Sequence, residues 1–269
     1  MEHKQQIQMA VFDWAGTTVD YGSSAPADVF QKVFQDVGIH FTPEEINGPM
    51  GTEKKKHIRS LLQTETGTSQ WKKTHGRDWT EADVDALYET FEHELFRVVA
   101  SYSNPLAGVV ETIGLLRGQG LKIGSTTGYT SEMMEHVIPT AKAQGYEADC
   151  VITPDQVGSG RPGPFMLFEC MRRLNVYPPC TVVKVGDTAV DMLEGKNAGA
   201  FSIGVLTGSS AVGLTEEEYK KASAEEIDQR KKAAEKLYFE NGADLVIDSI
   251  LDLPEAIAKL NQRLTEKEQ

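Results

Sequence analysis

The sequence predicts an α/β fold: a Rossmann-like, doubly wound parallel sheet with an all-helical insert after its first strand. Three observations carry this. Six short apolar runs, each bounded by Gly, Pro, Asp or Thr, read as buried strands. Helical patterns alternate with them, which lays the strands parallel and covers both faces of the sheet. One stretch, from about residue 23 to 102, carries helical spacing and no convincing strand.

In chain order, "IQMAVFD" is the first strand. The insert follows, with helical spacing in "PADVFQKVFQDVG", "PEEINGPMGTEKKKHIRSLLQ" and "EADVDALYETFEHELFRVVASY". "YGSSAP" and "SYSNPLAG", rich in Gly, Ser and Pro, are its expected hinges. The expected division is a core of residues 1–22 and 103–269 and a smaller helical domain of residues 23–102. The remaining strands are "LKIGSTTG", "DCVITPD", "TVVKVGD", "SIGVLTG" and "ADLVIDS". Interleaved helices are "GVVETIGLLRGQG", "EMMEHVIPTAKAQG", "PFMLFECMRRLNV", "DMLEGKNAG" and "LPEAIAKLNQRL". The stretch "TEEEYKKASAEEIDQRKKAAEKL" reads as one solvated surface helix.

The 269 residues are enough for a sizeable core, and the net charge of −13 bounds the partners. Nucleic acid and anionic membranes are disfavoured, because neither is attracted to an acidic surface. An anionic substrate must find a local positive site against that field. The three cysteines, Cys150, Cys170 and Cys180, have no CxxC spacing, so no disulfide framework or zinc site is expected. "MEHKQQIQ" is polar and runs directly into a strand, so no leader is expected. No apolar run reaches the ~20 residues of a membrane span. The expected location is the cytoplasm.

Ligands of such sheets sit beyond the C-terminal strand ends. Asp13 ends the first strand, and Thr126, Thr127 and Gly128 end the second. "GSGRPGP", with Arg161, follows the third, and Asp187 ends the fourth with Asp191 four residues later. Asp13 and Asp187 suit a hard Mg2+ ion. A Thr hydroxyl, a Gly amide and an Arg fork suit phosphate oxygens. An Asp can attack phosphorus, with metal and Arg stabilising the charge that spreads in the transition state. Taken singly, each group has an ordinary explanation: a turn-forming Asp, a surface Arg, an N-cap Asp187 with a first-turn Asp191. Their joint order is what points to phosphoryl chemistry.

The series "DWAGT", "STTG", Arg161 and "GDTAVD" resembles the haloacid dehalogenase superfamily of aspartate-nucleophile phosphotransferases, along nearly the whole chain. More narrowly, "FDWAGTTVDYG", "PMG" followed by a Lys and a His, "KIGSTTGYT", "GRP" and "KVGDT" resemble the phosphonatase (phosphonoacetaldehyde hydrolase) family. The resemblance implies Asp13 as nucleophile and Mg2+ ligand, the Ala15 backbone carbonyl and Asp187 as further ligands, and Asp191 in or near the shell behind them. It also implies Thr127, Gly128 and Arg161 as phosphoryl-binding groups, Met50 and Tyr129 as substrate-pocket residues, and a homodimer through the helical cap.

Ala15 is the informative departure. Phosphatases of the superfamily usually carry a second Asp there to protonate the leaving alkoxide, and a methyl group cannot. Breaking a C–P bond requires an electron sink instead, and a lysine imine on a neighbouring aldehyde supplies one. The family spacing places that imine on Lys54 of "PMGTEKKKH", with Lys55 the neighbour a shifted register would choose. His57, at i+3 on the same helical face, is placed to move protons. Charges at Lys55 and Lys56, together with burial, are expected to lower the Lys54 pKa. Ser23, beside Ser24, stands where a family member has Cys. The function so implied is Mg2+-dependent hydrolysis of phosphonoacetaldehyde to acetaldehyde and phosphate, in 2-aminoethylphosphonate degradation. A phosphatase or phosphomutase acting on a small ester, and a catalytically silent binding protein on the same fold, are the alternatives.

Overall fold

A computed structural model describes residues 6–267. Strands β1 (Met9–Phe12), β2 (Lys122–Thr126), β3 (Cys150–Ile152), β4 (Val182–Gly186), β5 (Phe201–Val205) and β6 (Leu245–Ile247) form one sheet of order β3-β2-β1-β4-β5-β6. Every pairing is parallel. Five of the six strands lie within the apolar runs, and β5 starts one residue before its run, at Phe201. β1 and β4 are buried along their full length, as a sheet covered on both faces requires.

Connections from β1 and β4 run to opposite sides of the sheet, so the crevice for a ligand opens between these two strands. Register does the positioning. Phe12 pairs with Val185 on one side and Ser125 on the other. The segments beginning at Asp13, Thr126 and Gly186 therefore leave the sheet side by side.

The insert after β1 holds five α-helices: α1 (Ser24–Asp36), α2 (Pro43–Asn47), α3 (Lys54–Gln63), α4 (Glu65–His75) and α5 (Glu81–Val98). Their core is aromatic, with Phe30 of α1 stacked on Phe91 of α5 at 4.2 Å. Each such buried ring contributes about 2–3 kcal/mol. Thr42 with Glu45, and Thr80 with Asp83, close capping boxes that start α2 and α5. The link from β1 holds Asp20 and Ser23 in left-handed conformations at φ 54° and 53°. Such residues cost of order 1 kcal/mol each. Asp20 offsets this by accepting the Ser24 and Ala25 amides at the start of α1.

The other helices, most of them packed on the sheet, are α6 (Val109–Gly118), α7 (Ser131–Ala143), α8 (Pro154–Val157), α9 (Phe165–Leu174), α10 (Ala189–Ala198), α11 (Glu216–Lys221, with no buried residue), α12 (Ala224–Glu240) and α13 (Leu253–Lys267). Two corrections arise. The charged stretch 215–237 is two helices, α11 and α12, and α12 is not merely a solvated face. Its Ala234 and Tyr238 are buried, and the Tyr238 hydroxyl donates to the Asp187 carbonyl at 2.6 Å. Nor is Asp187 an N-cap: Thr188 caps α10, and Asp191 is the N3 acid of its capping box. Among the described residues no helix is long and apolar enough to cross a membrane.

Candidate active site

Asp13 follows β1 directly and its amide continues the ladder to the Val185 carbonyl at 2.9 Å. The carboxylate is buried and meets Arg161 Nη2 at 2.7 Å. Burial raises its pKa, while the Arg161 charge opposes that rise. Ala15 and Gly16 turn the chain back at once. Gly16 has φ +83°, and a Cβ there would lie 2.3 Å from Asp187 Oδ2, so only glycine fits. This close approach carries the backbone beside Ala15 up to the Asp187 carboxylate.

Asp187 is held from three directions. Thr17 Oγ1 donates to Oδ1 at 3.1 Å, and the Ser210 amide and hydroxyl donate to Oδ2 at 2.8 and 2.7 Å. Its pKa is pushed up to about 8, first by burial and then by the charges of Asp13 and Asp191. Carboxylate oxygens of Asp13, Asp187 and Asp191 all lie within 4.8 Å of one another, every residue buried. Three acids crowded this closely, with one driven towards neutrality, form a site that can hold a metal ion. The all-oxygen donor set fits a hard divalent cation. Asp191 is the least free to ligate. Its Oδ1 meets Arg161 at 2.9 Å and Lys184 at 3.0 Å, and Thr188 donates to its other oxygen.

Thr127 and Gly128 extend from β2 beside Asp13. Thr127 Oγ1 accepts the Tyr129 amide at 3.1 Å. Gly128 is a point of close approach: a Cβ there would sit 2.5 Å from the Thr52 carbonyl oxygen of the helical insert. Gly51, at φ +83°, presses on Thr188 in the same manner. The loop 49–52 is thus seated between the ends of β2 and β4. Met50, in that loop, is buried and lines a crevice with Thr188 and Ser210.

Lys54 opens α3 directly after this loop and is buried. Its ammonium lies 4.9 Å from the Tyr129 ring centroid and 5.9 Å from that of Phe30. Its pKa falls from 10.5 to about 8, because burial outweighs the favourable charges of Asp13, Asp20 and Asp187. Arg161 adds to the fall. The neighbouring lysines are not its cause, contrary to the expectation from sequence. Lys55 turns outward to pair with Asp85, and Lys56 is exposed. That outward turn also removes Lys55 as a rival for the site.

His57 is fully buried one turn along, its ring tilted against Phe30 with centroids 4.0 Å apart. Nε2 lies 2.8 Å from the Ile46 carbonyl, which can only accept, so Nε2 carries the proton and Nδ1 is a free base. Nδ1 has no partner, and burial together with the Lys54 charge lowers the ring's pKa well below 6.5. Ser23 is buried with its hydroxyl unpartnered, close against Gly16.

Sequence reasoning missed the layer behind these groups. Lys184 and Glu194 are both fully buried and both engage the Arg161 cluster. Two signals could have found them. A lysine interrupts the apolar run "TVVKVGD", and Glu194 stands three residues after Asp191 on one helical face. Thr17 and Ser210, which hold Asp187, lie in loops without a comparable signal.

Comparison with known proteins agrees with this geometry. A family model described as haloacid dehalogenase-like hydrolase matches residues 7–199. The phosphonoacetaldehyde hydrolase of Bacillus cytotoxicus is 46% identical over 258 residues, covering 96% of this chain and 98% of its own. That of Parabacteroides distasonis is 44% identical over 260 residues, with the same coverage of 96% and 98%. The crystal structure of a phosphonoacetaldehyde hydrolase-like protein from Oleispira antarctica superposes with a TM-score of 0.94 at 36% identity, over 98% of this chain and 95% of that one. With β1, the turn after β2 and the acidic cluster all inside the matched region, the chain belongs to the haloacid dehalogenase-like hydrolases, in the branch of the phosphonoacetaldehyde hydrolases.

Proposed function

We propose that this chain hydrolyses the C–P bond of phosphonoacetaldehyde, giving acetaldehyde and phosphate, as a step in 2-aminoethylphosphonate degradation. The observation that carries the reading is Lys54: a buried amine with its pKa lowered to about 8, opposite a buried Asp13, where Ala15 leaves no second acid. An amine so tuned is the neutral nucleophile an aldehyde needs.

Lys54 attacks the aldehyde carbon and water leaves, giving a protonated imine. His57, one turn from Lys54 with an unprotonated and unpartnered Nδ1, is the group we assign to relay protons from the amine. Asp13 then attacks phosphorus. The C–P electron pair moves into the iminium, an enamine departs, and an aspartyl phosphate remains on Asp13. Water hydrolyses that acyl phosphate. The enamine takes up a proton at carbon, and hydrolysis of the resulting imine frees acetaldehyde and Lys54. One water is consumed overall. Arg161, Thr127 and the Gly128 amide hold the phosphoryl oxygens, and Met50 and Tyr129 wall the aldehyde end of the pocket.

Asp13, Asp187 and the Ala15 carbonyl are the groups that would hold Mg2+, with Asp191 behind them. Bound there, the ion would neutralise charge on the carboxylates and phosphoryl oxygens. Residues 23–102 act as a cap domain over a core of residues 1–22 and 103–269, and the cap excludes water when seated. A cytoplasmic homodimer through the cap completes the reading.

The test is borohydride reduction in the presence of phosphonoacetaldehyde, with peptide mapping and a parallel phosphate-release assay. A reduced adduct on Lys54 is expected. Turnover without an adduct removes the imine, an adduct on Lys55 removes the assignment, and no turnover of phosphonate or ester favours a silent binding protein.

A further inference from the structure

We propose that Lys184 and Glu194 form an inner ion pair whose work is to aim the Arg161 guanidinium at Asp13 and the phosphoryl group. They are positioning residues for the reaction, and the proposal rests on the phosphoryl-binding role assigned to Arg161 above.

Lys184 is the central residue of β4 and Glu194 lies on α10, and both side chains are fully buried. Their charged atoms lie within ion-pair distance of Arg161 and Asp191, and among the described residues neither approaches Asp13 or Asp187 that closely. They stand behind the reacting groups. A buried ion pair is weak evidence for stability, since an apolar pair of similar volume often serves as well. Its presence here calls for another explanation, and the hydrogen bonds supply one.

A guanidinium is a rigid planar fork, so fixing its Nε edge fixes where its outer nitrogens point. Glu194 Oε2 takes the Nε edge at 3.0 Å. Nη2 then shares its two protons among the Thr126 carbonyl at 2.6 Å, Thr126 Oγ1 at 2.9 Å and Asp13 Oδ1 at 2.7 Å. Thr126 closes the network without remainder. Its hydroxyl proton goes to Glu194 Oε2 at 2.8 Å, and its two lone pairs take Arg161 and Lys184, the latter at 2.7 Å. Glu194 Oε1 has no partner at all. The side chain is therefore placed to present one oxygen to three donors, not to satisfy both.

Lys184 supplies the missing charge. Without it Arg161 alone would face Asp13, Asp191 and Glu194, three acids on one cation. With Lys184 bound to Asp191 at 3.0 Å and Glu194 at 3.2 Å, the two rear acids are shared and the front of the fork stays directed at Asp13.

The test compares orthovanadate, which mimics five-coordinate phosphorus, with inorganic phosphate. Binding of each is measured by calorimetry with Mg2+ present, alongside urea unfolding. In Lys184→Met/Glu194→Leu the charges are removed together, so the double variant should be more stable than either single one. Its vanadate affinity should nonetheless fall by about 30- to 100-fold, as a misaimed transition-state contact would, while phosphate affinity changes by only about threefold. Glu194→Gln, which can still accept from Nε, should keep the vanadate-to-phosphate ratio within about fivefold of the natural chain. If the double variant recovers vanadate affinity with its stability, or if both anions weaken equally, the pair does not aim Arg161 and the proposal is overturned. A natural chain that binds vanadate but releases no acetaldehyde from phosphonoacetaldehyde would sink the functional reading and leave this comparison intact.

Discussion

Replacing Lys54 with Met separates what the lysine does for chemistry from what it does to the fold. Met keeps a linear apolar stem of similar length and removes the charge. The fall of the Lys54 pKa from 10.5 to about 8 means that burying the ammonium costs roughly 3 kcal/mol against the unfolded chain. At pH 7, below both values, native and unfolded states both carry the proton and the whole cost is present. Between about pH 8 and 10.5 the native amine is neutral while the unfolded one is still charged, so native stability rises with pH. Above 10.5 neither state is charged and the cost is gone.

Lys54→Met should therefore be more stable than the natural chain at pH 7, by up to about 3 kcal/mol. That advantage should shrink between pH 8 and 10.5. Urea unfolding at half-unit pH intervals measures the difference directly, and common titrations elsewhere cancel in it. Activity and borohydride trapping should both vanish. A variant less stable than the natural chain at pH 7, or an advantage that does not change with pH, would refute the assignment of a desolvated, pKa-lowered amine at this position.

Arg161 is the opposite case, a buried cation that three carboxylates need. Arg161→Ala should lose about 3–5 kcal/mol in urea unfolding, because Asp13 then loses its ion-pair partner and Asp191 and Glu194 are left with Lys184 alone. Arg161→Lys should fold but lose about 100-fold or more in phosphate release, since an ammonium cannot reproduce the fork. Ala15→Asp should give no gain on phosphonoacetaldehyde, because an acid is no sink for a C–P electron pair; any gain should appear on an aryl phosphate ester, assayed in parallel. Gly128→Ala should lower kcat/KM by about 100-fold, because its new Cβ would lie 2.5 Å from the Thr52 carbonyl oxygen and unseat the loop.

The strands were legible because each is short, apolar and closed by a turn residue, and a parallel sheet buries such runs whole. Asp13, Thr127 and Asp187 stood out for a related reason: they are polar residues directly after strands, where ligands collect, and Arg161 stood out in the Gly/Pro loop that follows β3 and α8. Lys54 was legible only through resemblance. "EKKKH" alone does not say which lysine faces inward, and the answer comes from how α3 is rolled against Phe30 and Tyr129. Lys184 was hidden because local pattern treats one charge in an apolar run as an interruption, whereas three dimensions give it two acids and a hydroxyl. The second helix of 215–237 was misjudged because only Ala234 and Tyr238 turn inward, too few to mark a face.

The chemistry is divided between two parts of the chain, and electrostatics ties the parts together. In the proposed mechanism the attacking carboxylate, Asp13, is on the core and the electron sink, Lys54, on the helical insert. Arg161 touches both, reaching Asp13 at 2.7 Å and the Gly51 carbonyl at 3.4 Å. An amine with pKa about 8 exists only while Lys54 is buried; in an open insert, hydration would return it towards 10.5. At pH 7 the neutral fraction would then drop roughly 300-fold. On the proposed mechanism, aldehyde capture is thus confined to the seated form, where Asp13 is already in place to take the phosphoryl group. Gly128→Ala, which unseats the loop, should trap aldehyde under borohydride more slowly at pH 7 by up to that factor, and the deficit should close as pH approaches 10.5. A deficit independent of pH would mean that seating acts by geometry alone and not through the charge on Lys54.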